Sequence, residues 1–264
     1  MDKHYLTPLF APASIAVLAG RADNPESLTS YAQALHPALR AQRFAGSLQF
    51  VDTHTSGTLA DLAQRKSDLA IIALPPAEVP AALEVAGRIG CRAALVLSSG
   101  MDADQAANLK KIARREGLYL LGPNSLGFQR PHLQLNASAA GPLASDGPLA
   151  LVCQSGALTS SILDWASNNA VGFSAVVSLG PNTDVDIAQV LDFLAHDART
   201  QSIVVYMEGI SNARRFMSAL RSAANAKAAS RATAVSAASR VRSGARKRRA
   251  NASDFLPSGT WGPA

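Results

Sequence analysis

The stretch Leu149-Ala150-Leu151-Val152-Cys153-Gln154-Ser155-Gly156-Ala157-Leu158-Thr159 decides the fold of this chain. Five apolar residues in unbroken succession read as a strand buried on both faces, because a strand with one wet face would alternate. Ser155 and Gly156 then punctuate the run. A serine in that place caps a helix by accepting a hydrogen bond from an N–H two or three residues on. The apolar spacing that follows predicts a helix over 156–168. Strand, cap, helix is the repeating unit of a parallel α/β sheet, whose ligands bind at the carboxyl ends of the strands.

The same unit recurs on either side. Upstream, apolar runs predict strands at 14–19, 48–51, 69–74, 93–97 and 118–121, with helices near 27–41, 78–89 and 103–116. Downstream they predict strands at 174–177 and 203–207 and helices near 185–195 and 211–226. In 103–116, Ala106, Leu109 and Ile112 share one face, so Lys110, Lys111, Arg114 and Arg115 read as a solvated face. Residues 136–148 are small and turn-rich, as a linker between two α/β domains would be. The expected division is 6–135, linker 136–148, 149–227, and a low-complexity tail over 228–264 with no strand and no order.

Composition narrows the class. The 264 residues are 48% hydrophobic and 17% charged, enough apolar content for two cores, and the formal net charge is +6. That charge is local. Residues 229–264 carry seven basic side chains and one acid, which leaves 18 of each sign in 1–228. A nucleic-acid surface spread over the folded body is thereby disfavoured. Cys91 and Cys153 lie in apolar runs and read as buried thiols. The five histidines are scattered without metal-ligand spacing, so no metal is expected. The start lacks an apolar signal core and no run is long enough to span a membrane, which places the chain in the cytoplasm.

The strand ends hold the candidate site. Ala19-Gly20-Arg21 keeps only one glycine of a dinucleotide loop, so NAD is disfavoured, although Asp52 follows the second strand. Pro75-Pro76 ends the third strand on a stiff turn, and Ser98-Ser99-Gly100 ends the fourth on small groups. Asn124 and Ser125 stand between Gly122 and Gly127 after the fifth. Ser155, Gly156 and Ala157 form a helix N-terminus suited to phosphate. Without Gly-x-Ser-x-Gly or a nearby histidine, Ser155 is not read as a nucleophile. Asp184 and Asp186 stand where a helix begins and read as caps, whereas Glu208 ends the last clear strand, where an acid can meet a ligand.

In order, these strings resemble the CoA-binding and following domains of NDP-forming acyl-CoA synthetases, relatives of the succinyl-CoA synthetase α subunit. The strings are Leu-Phe-Ala-Pro-Ala-Ser-Ile-Ala-Val (9–17), Asp-Leu-Ala-Ile-Ile-Ala-Leu-Pro-Pro (68–76), Ala-Ala-Leu-Val-Leu-Ser-Ser-Gly (93–100), Leu-Leu-Gly-Pro-Asn-Ser-Leu-Gly (120–127), 149–158, Gly-Phe-Ser-Ala-Val-Val-Ser-Leu-Gly (172–180) and Tyr-Met-Glu-Gly-Ile (206–210). The opening residues and Glu208–Phe216 are most similar to bacterial proteins that fuse this module to a GNAT acetyltransferase domain. The resemblance implies a Rossmann-like CoA-binding domain followed by a flavodoxin-like domain. It implies that acyl-CoA and phosphate give an acyl phosphate, and that the phosphoryl group passes to a histidine and then to ADP. By it, residues 19–21, Pro75–Pro76, Ser98–Gly100 and Asn124–Ser125 line the CoA site, Ser155–Ala157 hold phosphate, and Glu208 orients the histidine.

Departures from the family pattern set the functional expectation. Ala19 and Thr29 stand where the CoA loop usually has glycine, and the Ala19 methyl is expected to crowd the CoA diphosphate. Val-Asp-Thr-His (51–54) replaces Val-Asn-Pro. The family's next strand and its Ser-His-Thr-Gly segment are not found after 227, nor is a nucleotide-grasp domain. The expectation is a fragment that binds CoA or acyl-CoA and does not complete the cycle. Next comes a half-enzyme with a separate nucleotide-grasp partner. A regulatory module with a nucleic-acid-contacting tail ranks last, because no aromatic interleaves the basic run.

Overall fold

The computed structural model describes residues 4–20, 28–41, 43–51, 66–180, 184–210, 212–227 and 233–236. Five short strands make the first sheet: β1 (Ser14–Leu18), β2 (Ser47–Phe50), β3 (Leu69–Ile72), β4 (Ala93–Val96) and β5 (Tyr119–Leu121). Their order is β2-β1-β3-β4-β5, parallel throughout. Every residue of β3 and β4 is buried, as their unbroken apolar runs require. Alternate residues feed opposite cores. Ala16, Leu18, Ala70, Ile72, Ala94 and Val96 pack with α3 (Val79–Arg88) and α4 (Ala103–Arg115), while Ile15, Val17, Leu69, Ile71, Ala93 and Leu95 face the other way. On that second side lie α1 (Thr7–Phe10) and α2 (Ser30–Ala41).

The second sheet has six strands in the order β11-β10-β8-β9-β6-β7. Four are parallel: β8 (Asp146–Cys153), β9 (Phe173–Ser178), β10 (Ser202–Met207) and β11 (Thr233–Ser236). Strand β6 (Gly127–Arg130) runs antiparallel to both of its neighbours, β9 and the edge strand β7 (Leu135–Ser138), to which it is joined through a 3-10 turn at Pro131–Leu133. Helix α5 (Gly156–Asn168) covers the outer face against Leu151, Cys153 and Val176. Helices α6 (Ile187–His196) and α7 (Ala213–Ala226) follow β9 and β10. Their apolar faces join the same core as α1, α2 and the inner side of both sheets, so the two α/β units share one continuous interior. None of the described helices is long and apolar enough to cross a membrane.

Two expectations are corrected here. The stretch 136–148 is not a free linker: 136–138 belong to β7 and 146–148 to β8, so the second sheet begins at Gly127. The polar residues that read as loop are buried in a closed network. Gln129 Nε2 donates to Ser138 Oγ and the Pro142 carbonyl, Ser138 donates to Asn136, and Asn136 donates to the Gly141 carbonyl. Satisfied in this way, polar side chains are cheap to bury. The expected strand-free tail also fails at one place, because Thr233–Ser236 pairs in parallel with β10. An edge strand needs one ladder of backbone hydrogen bonds and leaves little periodicity in the sequence to read.

Candidate functional site

The ends of β1, β3, β4 and β5 place the expected CoA-lining residues along one sheet edge. Gly20 has φ +72° and follows Ala19, whose side chain is 2% exposed within the core. The methyl packs inward among core side chains. Thr29 is also committed to the fold: its hydroxyl donates to the Ala73 carbonyl at 2.8 Å and accepts from the Ala32 N–H, opening α2. Pro75 is half-buried and accepts from the Glu78 N–H, whereas Pro76 is exposed. Ser98 is buried with its hydroxyl on the Leu74 carbonyl; Ser99 is half-buried and Gly100 exposed. Arg21 and residues 52–54 lie outside the described residues.

Asn124 and Ser125 behave differently from one another. Asn124 is exposed with φ +57°, and its N–H donates to the Ser98 carbonyl at 2.9 Å. Ser125 is buried, donates to the Ser178 carbonyl and accepts from the Gly127 N–H. Its hydroxyl ties the β5–β6 turn to β9. Gly180, at φ +72°, closes the same turn from the far side, where a Cβ would lie 2.3 Å from the Asn124 carbonyl oxygen.

Ser155 caps α5 as expected, its Oγ accepting from the Leu158 N–H at 3.4 Å. The N–H groups of Gly156 and Ala157 open the helix and have no acceptor within it. A cavity of about 360 Å³ joins them to Tyr31, Asn124, Ser125, Leu126, Gln154 and Ser160. The geometry thus brings the Asn124 turn of the first sheet to the α5 N-terminus of the second. A larger cavity of about 650 Å³ lies beside the ends of β8, β9 and β10 and includes Lys110, Arg114, Gln154, Gly180, Asp186, Glu208 and Arg215 in its wall. Arg114 is thus not simply solvated, since it reaches Asp184 at 2.7 Å. Asp186 caps α6 with Gln189 in a reciprocal pair and faces Arg215 at 3.5 Å.

Gln154 belongs to both cavities, and sequence reasoning passed over it. Its Oε1 accepts from the Glu208 N–H at 2.7 Å and the Gly209 N–H at 3.1 Å, and its Nε2 donates to the Gly209 carbonyl at 3.1 Å. One carboxamide thereby fixes the backbone that presents Glu208, which is exposed in the larger cavity. The only signal for it in the sequence was its place between the strand and the cap.

Residues 48–131 match the family described as the CoA binding domain, and residues 146–252 the succinyl-CoA ligase like flavodoxin domain. The ADP-forming acetate–CoA ligase I of Archaeoglobus fulgidus is 39% identical over 166 residues, 61% of this chain and 24% of that protein. The chain is a homologue of the CoA-binding, alpha part of ADP-forming acetyl-CoA synthetases. The subunit alpha of the ADP-forming acetate–CoA ligase I of Pyrococcus furiosus is 36% identical over 61% of this chain and 36% of that subunit. The fold agrees with the apo form of the dinucleotide forming acetyl-coenzyme A synthetase 1 of Ca. Korarchaeum cryptofilum at a TM-score of 0.79 and 25% identity, covering 88% of this chain and 52% of that one. The chain thus spans between about a quarter and just over a third of the length of these curated relatives. The second domain's match continues to 252, past the point at 227 where the likeness was expected to stop, and it takes in β11.

Proposed function

We propose that the chain binds CoA or an acyl-CoA and presents the reacting end of the ligand to phosphate in the smaller cavity. The observation that carries this reading is the meeting of Asn124 with the α5 N-terminus there. The amides of Gly156 and Ala157, with the positive end of the helix dipole, suit a phosphate or a transferring phosphoryl group. Glu208, held by Gln154, is the group that would orient a phosphorylated histidine in the larger cavity. The acyl group is a small carboxylic acid of the acetate kind, after the names of the relatives, and a cytoplasmic location belongs to the same reading.

A melting curve with and without 1 mM CoA tests it. A ligand present at a hundred times its Kd stabilises the native state by about 2.7 kcal/mol, which at this size raises Tm by roughly 5–10 °C. No shift at millimolar CoA overturns the proposal. Ala157→Asp provides a second arm. Its carboxylate suits a helix N-terminus, so the fold should hold, but it repels phosphate and should weaken inorganic phosphate binding about tenfold.

The Pyrococcus furiosus relative is by name a subunit, which favours a second reading. Here the chain is the CoA-binding half of a ligase whose nucleotide-grasp half is a separate partner. Because this sequence shows no Ser-His-Thr-Gly segment, the partner would also have to supply the phosphoryl-carrying histidine. Mixing such a pair with acetyl-CoA, phosphate and ADP should then yield ATP, and neither half alone should do so.

A further inference from the structure

Two of the histidines that look scattered in the sequence meet in the fold. His4 precedes α1, and His196 ends α6 one turn after Asp192. His4 Nε2 lies 3.1 Å from Asp192 Oδ2, and His196 Nδ1 lies 3.7 Å from Asp192 Oδ1. One donor atom from each of the three falls within 4.8 Å of the others. A tetrahedral ion with bonds of about 2.0–2.1 Å holds its ligands about 3.4 Å apart. The two measured separations lie on either side of that value but run to different Asp192 oxygens. A side chain must therefore shift for one carboxylate oxygen and both imidazoles to meet a single ion.

The donors are also held in place before any ion arrives. Asp192 and His196 are four residues apart on one helix and so share a face. The His4 ring stacks on Tyr5 at 4.2 Å and meets the edge of Phe193 at 5.4 Å, leaving its side chain 16% exposed. Two contacts oppose the site. His196 Nδ1 donates to the Asp192 backbone carbonyl at 2.8 Å, so His196 must turn or present Nε2 to an ion. The Leu6 N–H donates to His4 Nδ1 at 3.1 Å, so the neutral ring carries its proton on Nε2, toward Asp192. An ion at Nε2 displaces that proton and leaves the ring protonated on Nδ1, which opens the Leu6 contact and lowers the affinity.

We propose that His4, Asp192 and His196 form a three-ligand site for a divalent first-row transition ion, with Zn2+ the type and water in the fourth position. Two imidazoles and one carboxylate suit such an ion better than Mg2+ or Ca2+, which prefer oxygen. The site takes no residue from the walls of the two cavities described above, so its role is mechanical. It clamps the segment before α1 onto α6 and so steadies Leu6, Leu9 and Phe10, which pack into the shared interior.

The test uses the untagged full chain, stripped of metal by chelation and titrated calorimetrically with ZnCl2. One Zn2+ per chain with a micromolar Kd is expected, with a higher Tm and no response to MgCl2. His196 is 64% exposed, so His196→Ala should leave the metal-free Tm unchanged while weakening Zn2+ on the order of tenfold or more. His4→Ala should do the same to the affinity, and Co2+ should show tetrahedral d–d absorption in the parent chain only. Absence of binding at 100 µM Zn2+, or an affinity unchanged in both variants, overturns the site.

Discussion

At the scale of single residues, Gln154 links the two cavities through three hydrogen bonds to the backbone of residues 208 and 209. Gln154→Leu keeps the bulk and removes all three. Hydrogen exchange at the Glu208 and Gly209 amides should then speed up about two- to tenfold, since each lost bond is worth about 0.5–1.5 kcal/mol. Its effect on Tm should be only a few degrees, because the loop lies at the surface. Gly180 makes the opposite case, in which a backbone position tolerates no side chain. Gly180→Ala meets both a positive φ and the Asn124 carbonyl, and should cost about 2–3 kcal/mol in urea unfolding. Cys91 is inert for a related reason, since burial pushes its thiol up to about 12 and no thiolate is available near neutrality.

At the scale of elements, the strands and helices were legible because their periodicity is strong. All eight strands and six helices expected from the sequence form, with ends shifted by a few residues. The elements that escaped were short or polar. Helix α1 has four residues, and β6 and β7 bury the polar side chains Gln129, Arg130, Asn136 and Ser138, which show no apolar period. Strand β11 makes the most testable addition. Removing residues 228–264 would strip the ladder from β10 and leave Val204–Met207 as an edge. The truncated chain should therefore lose Tm by several degrees, whereas removal of an unstructured tail would leave Tm unchanged.

At the scale of the whole molecule, one buried cation joins the units. Arg130 on β6 pairs with Asp197 at 3.0 Å, donates to the Ser174 carbonyl, lies over the Phe193 ring at 5.3 Å, and reaches the Phe10 carbonyl of α1 at 3.5 Å. Thr200 donates to the same carboxylate, and Lys227 donates to the Asp197 backbone carbonyl. His132 sits beside this cation. Burial, and then the charge of Arg130, hold its imidazole below the usual 6.5. Above 6.5 both the folded and unfolded forms are neutral and the stability is complete. As pH falls from 6.5 toward the lowered value, the unfolded chain takes up a proton that the native state excludes, and stability declines. Unfolding midpoints measured at pH 7.5 and 5.5 should fall with pH in the parent chain, and fall less in His132→Gln.

The sequence alone determined the class of fold, the order of its elements and the motifs at the strand ends, since hydrophobic period and helix caps are local properties. Asn124 and the Ser155 cap were legible for that reason. Tertiary structure alone decided which of them meet. It turned the Ala19 methyl into the core, spent the Ser125 hydroxyl on β9, gave Gln154 its hold on Glu208, and carried His4 to Asp192 across 188 residues. Those outcomes depend on pairing between segments far apart in the chain, and a hydrogen bond or a buried face has no signature until its partner is in place.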